Sequence, residues 1–204
     1  MYIPATMKMN EQGDIAAFIR ENGFGLLVST SLTASHLPFV LEQDEMQGSV
    51  LYSHMARANP HWREVVGQRV LVVFQGPHSY ISPTWYSSKH AVPTWNYAAV
   101  HCYGTLEVIS ADKLSIVMDK LLNTYEPTLN ELFDLMPDDF FQSKLTGIVG
   151  FKVVIDTFQA KEKLGQHRSV DDQRGTFEAL KNSNDPGAQA LAQYMVKRRK
   201  GIGK

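Results

Sequence analysis

Cysteine is almost absent: Cys102 is the single one in 204 residues. A lone thiol excludes an intrachain disulfide and a zinc site built on several cysteines. It suits a reducing compartment. An excess of charge is missing as well. The formal net charge is −1, so no global basic surface awaits a polyanion and no global acidity repels one. Long apolar runs are also lacking. The longest plain one, Val70-Leu71-Val72-Val73-Phe74, has strand length and falls far short of a membrane span. The start, Met1-Tyr2-Ile3-Pro4-Ala5-Thr6-Met7-Lys8, lacks the basic opening and apolar stretch of a signal peptide, so a cytoplasmic protein with no membrane partner is expected. What is present suffices for a core. Apolar residues make up 44% against 20% charged, in a length that fits one large domain or one domain with a helical appendix.

Periodicity organises the rest. Ile15, Phe18 and Ile19 share one face of a helix that Gly23 ends. Strands are predicted over 24–30, 37–42 and 49–55, with turn chemistry at 44–48. Asn59 and Pro60 open a brief helix. The most apolar strand covers 69–75, Gly76-Pro77 is expected to turn the chain, and a further strand lies around 79–82. Residues 83–94, with two prolines and large aromatics, read as an ordered loop packed over something. A long strand over 95–109 carries Gly104 as an expected bulge. Ser110 caps a helix with a broad apolar face at Leu114, Val117, Met118, Leu121, Leu122 and Tyr125. A shorter helix is expected near 130–136, a last strand over 148–158, and a polar, basic loop over 161–168. Ser169-x-x-Asp172 resembles a capping box and opens a helix; Asp185-Pro186 opens the final one. The fold class expected is mainly β with helices (α+β), a small closed barrel with helical decorations. The expected division is a barrel domain over 1–160 and a C-terminal loop with helices over 161–204.

Three clusters carry polar chemistry. Ser53-His54-Met55-Ala56-Arg57-Ala58-Asn59-Pro60 joins a strand end to a helix start, where free N–H groups and an arginine fork suit a phosphate. The plain alternative is a capping Asn59 beside a surface Arg57. Tyr80 to Tyr86 and Val92 to Tyr97 hold aromatics that can flank a flat ring, with Ser82, Thr84, Thr94 and Asn96 at its polar edge. The same aromatics would also serve as core or dimer interface. Lys163, Gln166 and Arg168 sit on a loop that is either a binding loop or a solvated basic turn.

In order along the chain stand His36-Leu37-Pro38-Phe39, Ser53 to Pro60, Phe74-Gln75-Gly76-Pro77-His78-Ser79-Tyr80-Ile81-Ser82-Pro83-Thr84-Trp85-Tyr86 and Val92-Pro93-Thr94-Trp95-Asn96-Tyr97. Together they resemble the PaiB family, FMN-binding negative transcriptional regulators related to protease synthase and sporulation regulation in bacilli. The resemblance implies an FMN-binding split β-barrel, a homodimer, and an FMN site at its interface, with FMN that can be absent from purified protein. It implies phosphate contacts from Ser53, His54, Arg57 and Asn59. It places the ring under the segment with Tyr80, Ser82, Trp85, Thr94, Trp95 and Asn96, and adds His36. Lys163, Gln166 and Arg168 match a family motif of the form Lys-Leu-Ser-Gln-Asn-Arg, from which this chain departs at Gly165 and His167. No catalytic and no metal-binding residue is implied.

Other readings compete. An FMN-dependent oxidoreductase with an indirect regulatory effect is the main rival, and a barrel that has lost its ligand is a third. Seven histidines invite a metal or a haem, but no i, i+4 histidine pair with a glutamate stands on a helix and no histidine is marked as an axial ligand. Cys102 lies mid-strand, the usual place of an inert thiol. DNA contact could come only from Lys197-Arg198-Arg199-Lys200, a run that at a helix C-terminus also complements the helix dipole.

Overall fold

The computed structural model describes residues 1–128 and 137–204, and of Asp138 the backbone only. The helix expected near 130–136 lies outside the described residues. Seven strands form one sheet, in the order β2-β1-β5-β6-β7-β4-β3. They are β1 (Phe24–Val28), β2 (Ala34–Pro38), β3 (Val40–Asp44), β4 (Gly48–Ala56), β5 (Arg69–Ile81), β6 (Thr94–Val108) and β7 (Ile148–Lys163). The β1–β2, β1–β5, β3–β4 and β4–β7 pairings are antiparallel. The helices are α1 (Gln12–Glu21), α2 (His61–Val65), α3 (Ala111–Tyr125), α4 (Asp138–Leu145), α5 (Val170–Lys181) and α6 (Pro186–Arg198). Among the described residues, no helix is long and apolar enough to cross a membrane.

Several boundaries differ from expectation for identifiable reasons. The run expected as one strand over 37–42 is two strands broken at Phe39. The Phe39 side chain is buried there, edge-on to Phe74 and Phe151 with ring centroids 5.6 and 6.3 Å away. Gly76-Pro77 does not turn the chain; β5 runs straight through it. Pro77 cannot donate to a ladder, and none is required on the β1 side, because β1 pairs with β5 only over Leu71–Val73. Gly104 marks a close approach rather than a bulge. Alternate burial passes through it in phase, and a Cβ there would stand 2.1 Å from the Val154 carbonyl oxygen. β7 continues to Lys163, so Lys161 and Lys163 are strand residues and the loop proper begins at Leu164. Pro137 precedes a helix, α4, that periodicity did not reveal.

The chain divides into two compact units: Met1–Ile15 with Gln75–Val100 and Gln159–Lys204, and Ala16–Phe74 with His101–Phe158. In the second unit the core gathers Leu27, Leu51, Met55, Val72, Phe74 and Phe151, all almost fully buried. The apolar face of α3 builds a second cluster, Val117 and Leu121 packing with Val50 and Tyr52 on the face of β4 opposite Leu51 and Met55. At about 25 cal/mol per Å² of apolar surface, each such side chain contributes roughly 1.5–3 kcal/mol. In the first unit α5 packs on α6, burying Leu180, Leu191 and Met195. Ser169 caps α5 by accepting from Asp172 N–H (3.2 Å). Asp172 does not reach back in a capping box. Its carboxylate accepts instead from the Ser88 N–H (2.9 Å), the Ser88 hydroxyl (2.7 Å) and the Ser87 hydroxyl (3.2 Å). With the Trp85 carbonyl set against Gly175, where a Cβ would meet it at 2.2 Å, this holds the 83–94 loop on α5.

Candidate functional site

The expected site residues fall into two groups, one in each unit. His36, Ser53, His54, Arg57 and Asn59 lie in the second. Ser53 on β4 is fully buried and donates its hydroxyl to the Pro38 carbonyl (2.6 Å). Arg57 is exposed, its Nε and Nη2 donating to the carbonyls of Thr146 and Ile148 (2.8 Å each). Asn59 sits just before α2, its Oδ1 accepting from His61 N–H (3.0 Å) while its Nδ2 donates to Ser35 Oγ (3.3 Å). Thus most of the donors that the sequence offers to a phosphate are engaged in bonds to backbone carbonyls and to neighbouring side chains. The exception is His54, whose Nδ1 is buried without a partner. Burial lowers its pKa and favours the neutral ring. His36 stacks on exposed Phe24 (6.0 Å, 20° between planes). The large cleft of this unit, about 990 Å³, lies along α3, α4 and the start of β7. It is walled mainly by apolar side chains such as Val108, Ile109, Leu114 and Leu145, and of the expected residues only Arg57 reaches it.

The other nine lie in the first unit. Trp95 and Tyr80 are both exposed, their rings edge to face at 6.1 Å, with the His78 ring 6.3 Å from Trp95. Ser82 caps the short turn Pro83–Trp85, accepting from Thr84 N–H at 3.2 Å. Asn96 is buried, its amide nitrogen close to Gly165. Lys163 Nζ donates to Thr94 Oγ1. Gln166 faces inward: its Oε1 accepts from Leu164 N–H (2.8 Å), and its Nε2 donates to the carbonyls of Glu162 (2.7 Å) and Thr6 (3.1 Å). The Arg168 guanidinium lies 4.6 Å above the Tyr86 ring. So Gln166 shapes the loop, whereas Lys163 and Arg168 are its cations.

Lys161 belongs with them, and the sequence reading passed over it. On a strand, positions 161 and 163 share a side by the period of two, the signal that would have found it. Lys161 is buried, donates to the Tyr2 carbonyl (3.0 Å), and sits 5.1 Å above the Tyr97 ring. Among the described residues, none of Lys161, Lys163 and Arg168 forms an ion pair with a carboxylate. Burial first, and this crowding second, set the pKa directions. Lys163 is lowered first by burial, then by the charges of Lys161 and Arg168. His167 is lowered by burial, then by Arg168 and Lys163. Unneutralised cations over the half-buried Tyr97 and Tyr86 rings fit a phosphate dianion carried on a flat apolar ring, the composition of FMN.

Sheet order, flanking helices and a family match define the class: a flavin-nucleotide-binding split barrel of α+β type. The chain belongs to the family described as "Putative FMN-binding domain", which its residues 1–157 match, and FMN is its cofactor. It is 38% identical over 201 residues to the Bacillus subtilis protein called Protease synthase and sporulation protein PAI 2, covering 96% of each chain. In fold it is similar to an FAD and haem binding protein from Mycobacterium smegmatis, with TM-score 0.62 and 15% identity over 78% of this chain and 74% of that one. It is likewise similar to the flavocytochrome Anf3 from Azotobacter vinelandii, with TM-score 0.58 and 11% identity over 80% and 73% of the two chains. When bound, FMN would supply a redox-active isoalloxazine.

Proposed function

We propose that this protein is a cytoplasmic, homodimeric, FMN-binding regulator that restrains sporulation and extracellular protease production. The regulatory part is carried over from the PaiB resemblance and from the name of the Bacillus subtilis relative. One observation carries the binding part: Lys161, Lys163 and Arg168 crowd together without a carboxylate, with the Tyr97 and Tyr86 rings under Lys161 and Arg168 and exposed Trp95 and Tyr80 in the same unit. Lys163 and Arg168 meet the FMN phosphate in this reading, and Trp95 and Tyr80 flank the ring. Ser53, His54, Arg57 and Asn59 form the alternative phosphate site, which would require Ser53, Arg57 and Asn59 to exchange bonds they already make.

Titration with FMN, followed by flavin fluorescence, separates the two. Lys163→Met is expected to weaken FMN by about tenfold or more, the worth of one charge-assisted hydrogen bond, with a much smaller effect from Arg57→Ala. The reverse order would move the phosphate to the 53–59 segment. Binding of FMN without steady oxidation of reduced nicotinamide supports a regulator; sustained turnover would favour the oxidoreductase. DNA contact through Lys197-Arg198-Arg199-Lys200 receives little support, because Arg198 and Lys200 turn onto a buried carboxylate.

A further inference from the structure

That carboxylate is Glu162, the residue between Lys161 and Lys163. It is fully buried, and its oxygens accept from Tyr194 OH (2.7 Å), Arg198 Nε (2.5 Å) and Lys200 Nζ (2.6 Å). Hydrogen bonds and charge from these groups outweigh burial and hold its pKa below the usual carboxylate range. Just beyond, Gly201 is buried at φ +72°, and a Cβ there would stand 2.0 Å from the carbonyl oxygen of Leu164. Two residues later Gly203, also buried and at φ +70°, leaves no Cβ space beside Arg174 N (2.7 Å) and the Val170 carbonyl (2.8 Å). Gly203 N–H donates to Gln173 Oε1 (3.4 Å), and Gln173 Nε2 donates to the Arg168 carbonyl (2.8 Å).

The segment after α6 therefore touches the 164–168 loop at both ends: at Leu164, the neighbour of Lys163, and through Gln173 at Arg168. Side chains other than glycine are excluded at 201 and 203 by position and by backbone conformation alike. We propose that residues 198–203 are a positioning element for the FMN phosphate, setting Lys163 and Arg168 in their binding geometry while Arg198 and Lys200 neutralise Glu162. Without that neutralisation the carboxylate would stand uncompensated between two of the site's cations. The family match ends at residue 157 and assigns no role to this segment. The proposal rests on the reading that Lys163 and Arg168 hold the phosphate.

Riboflavin, which has the ring and no phosphate, gives the discriminating readout. The wild type, Gly201→Ala, Lys200→Met and Lys163→Met are titrated with FMN and with riboflavin, and melting is recorded for each. Gly201→Ala is expected to weaken FMN by about tenfold and to change riboflavin by less than about twofold; Lys200→Met gives a smaller loss with the same selectivity. If Gly201→Ala unfolds below the titration temperature, Lys200→Met carries the test. Equal weakening of both ligands would show a merely structural role and overturn the proposal. So would an unchanged preference for FMN in Gly201→Ala and Lys200→Met while Lys163→Met loses it, and the phosphate reading would then stand alone. An unchanged preference in Lys163→Met would remove the phosphate reading itself, and this proposal with it.

Discussion

Replacing Glu162 with glutamine tests the central ionic assembly of the first unit without changing its shape. The carboxylate is fully buried and holds two cations and a phenol, while Arg198 is shared with the Asp14 carboxylate at 2.6 Å. Breaking a buried ion pair by removing one partner typically costs about 3–5 kcal/mol, because the other charge stays behind in a poor solvent. Two features reduce that here. Asp14 remains as a counter-ion for Arg198, and the amide oxygen of glutamine still accepts one bond. The expected cost at pH 7 is about 2–3 kcal/mol, which for a chain of this size lowers the melting temperature by about 5–10 °C. The pH dependence has a definite sign. Glu162 titrates below its ordinary range when folded, so its contribution is complete above the unfolded value and fades as pH falls through the folded one. Glu162→Gln should therefore differ most from the wild type near neutrality and converge with it in acid. Thermal melts of both proteins from pH 3 to pH 8 provide the measurement. Melting temperatures that coincide at pH 7 would refute the reasoning, since desolvation would then cancel the whole Coulombic gain.

Gly104→Ala forces a Cβ to within 2.1 Å of the Val154 carbonyl and should cost about 3 kcal/mol or more in urea denaturation, whereas Gly13→Ala, in open space on α1, should be neutral or stabilise by up to about 1 kcal/mol. Asp172→Asn removes the charged acceptor that holds Ser87 and Ser88; amide exchange at Ser88 should rise about tenfold at pH 7, and the wild type should approach the variant as acid titrates the depressed Asp172 carboxyl. Cys102 is fully buried and burial pushes its thiol pKa far up, so a thiol reagent at pH 8 should label it no faster than the protein unfolds; rapid labelling of the native protein would contradict the packing.

Much of the architecture is a local matter and was legible in the residues. Ser110, Ser169 and Asp185 cap helices where the patterns place them, because a cap involves a few consecutive residues. Alternating burial along β6 follows from the period of the strand. Prolines and glycines misled, since their meaning depends on neighbours remote in sequence. Pro77 continues a strand because β1 ends before it, and Gly104 admits a carbonyl from β7.

The candidate site divides along the same line. Family motifs pointed to His54, Arg57, Trp95, Lys163 and Arg168, and each is a property of a short string. Whether such a residue is available is a property of its surroundings. Arg57 turned out to be tied to carbonyls 89 and 91 residues further on, Asn59 to the start of α2, and Gln166 braces its own loop. The basic run at 197–200, which could have faced a polyanion, sends two of its members to a carboxylate 36 and 38 residues earlier. By itself the sequence determined most of the strands and helices, several caps and the chemical type of each side chain, because these depend on near neighbours and on periodicity. Only the tertiary structure decided which cations remain without a carboxylate and which are neutralised, because charge compensation is set by distance in space, and residues far apart in the chain arrive there through the packing of α6 and β7.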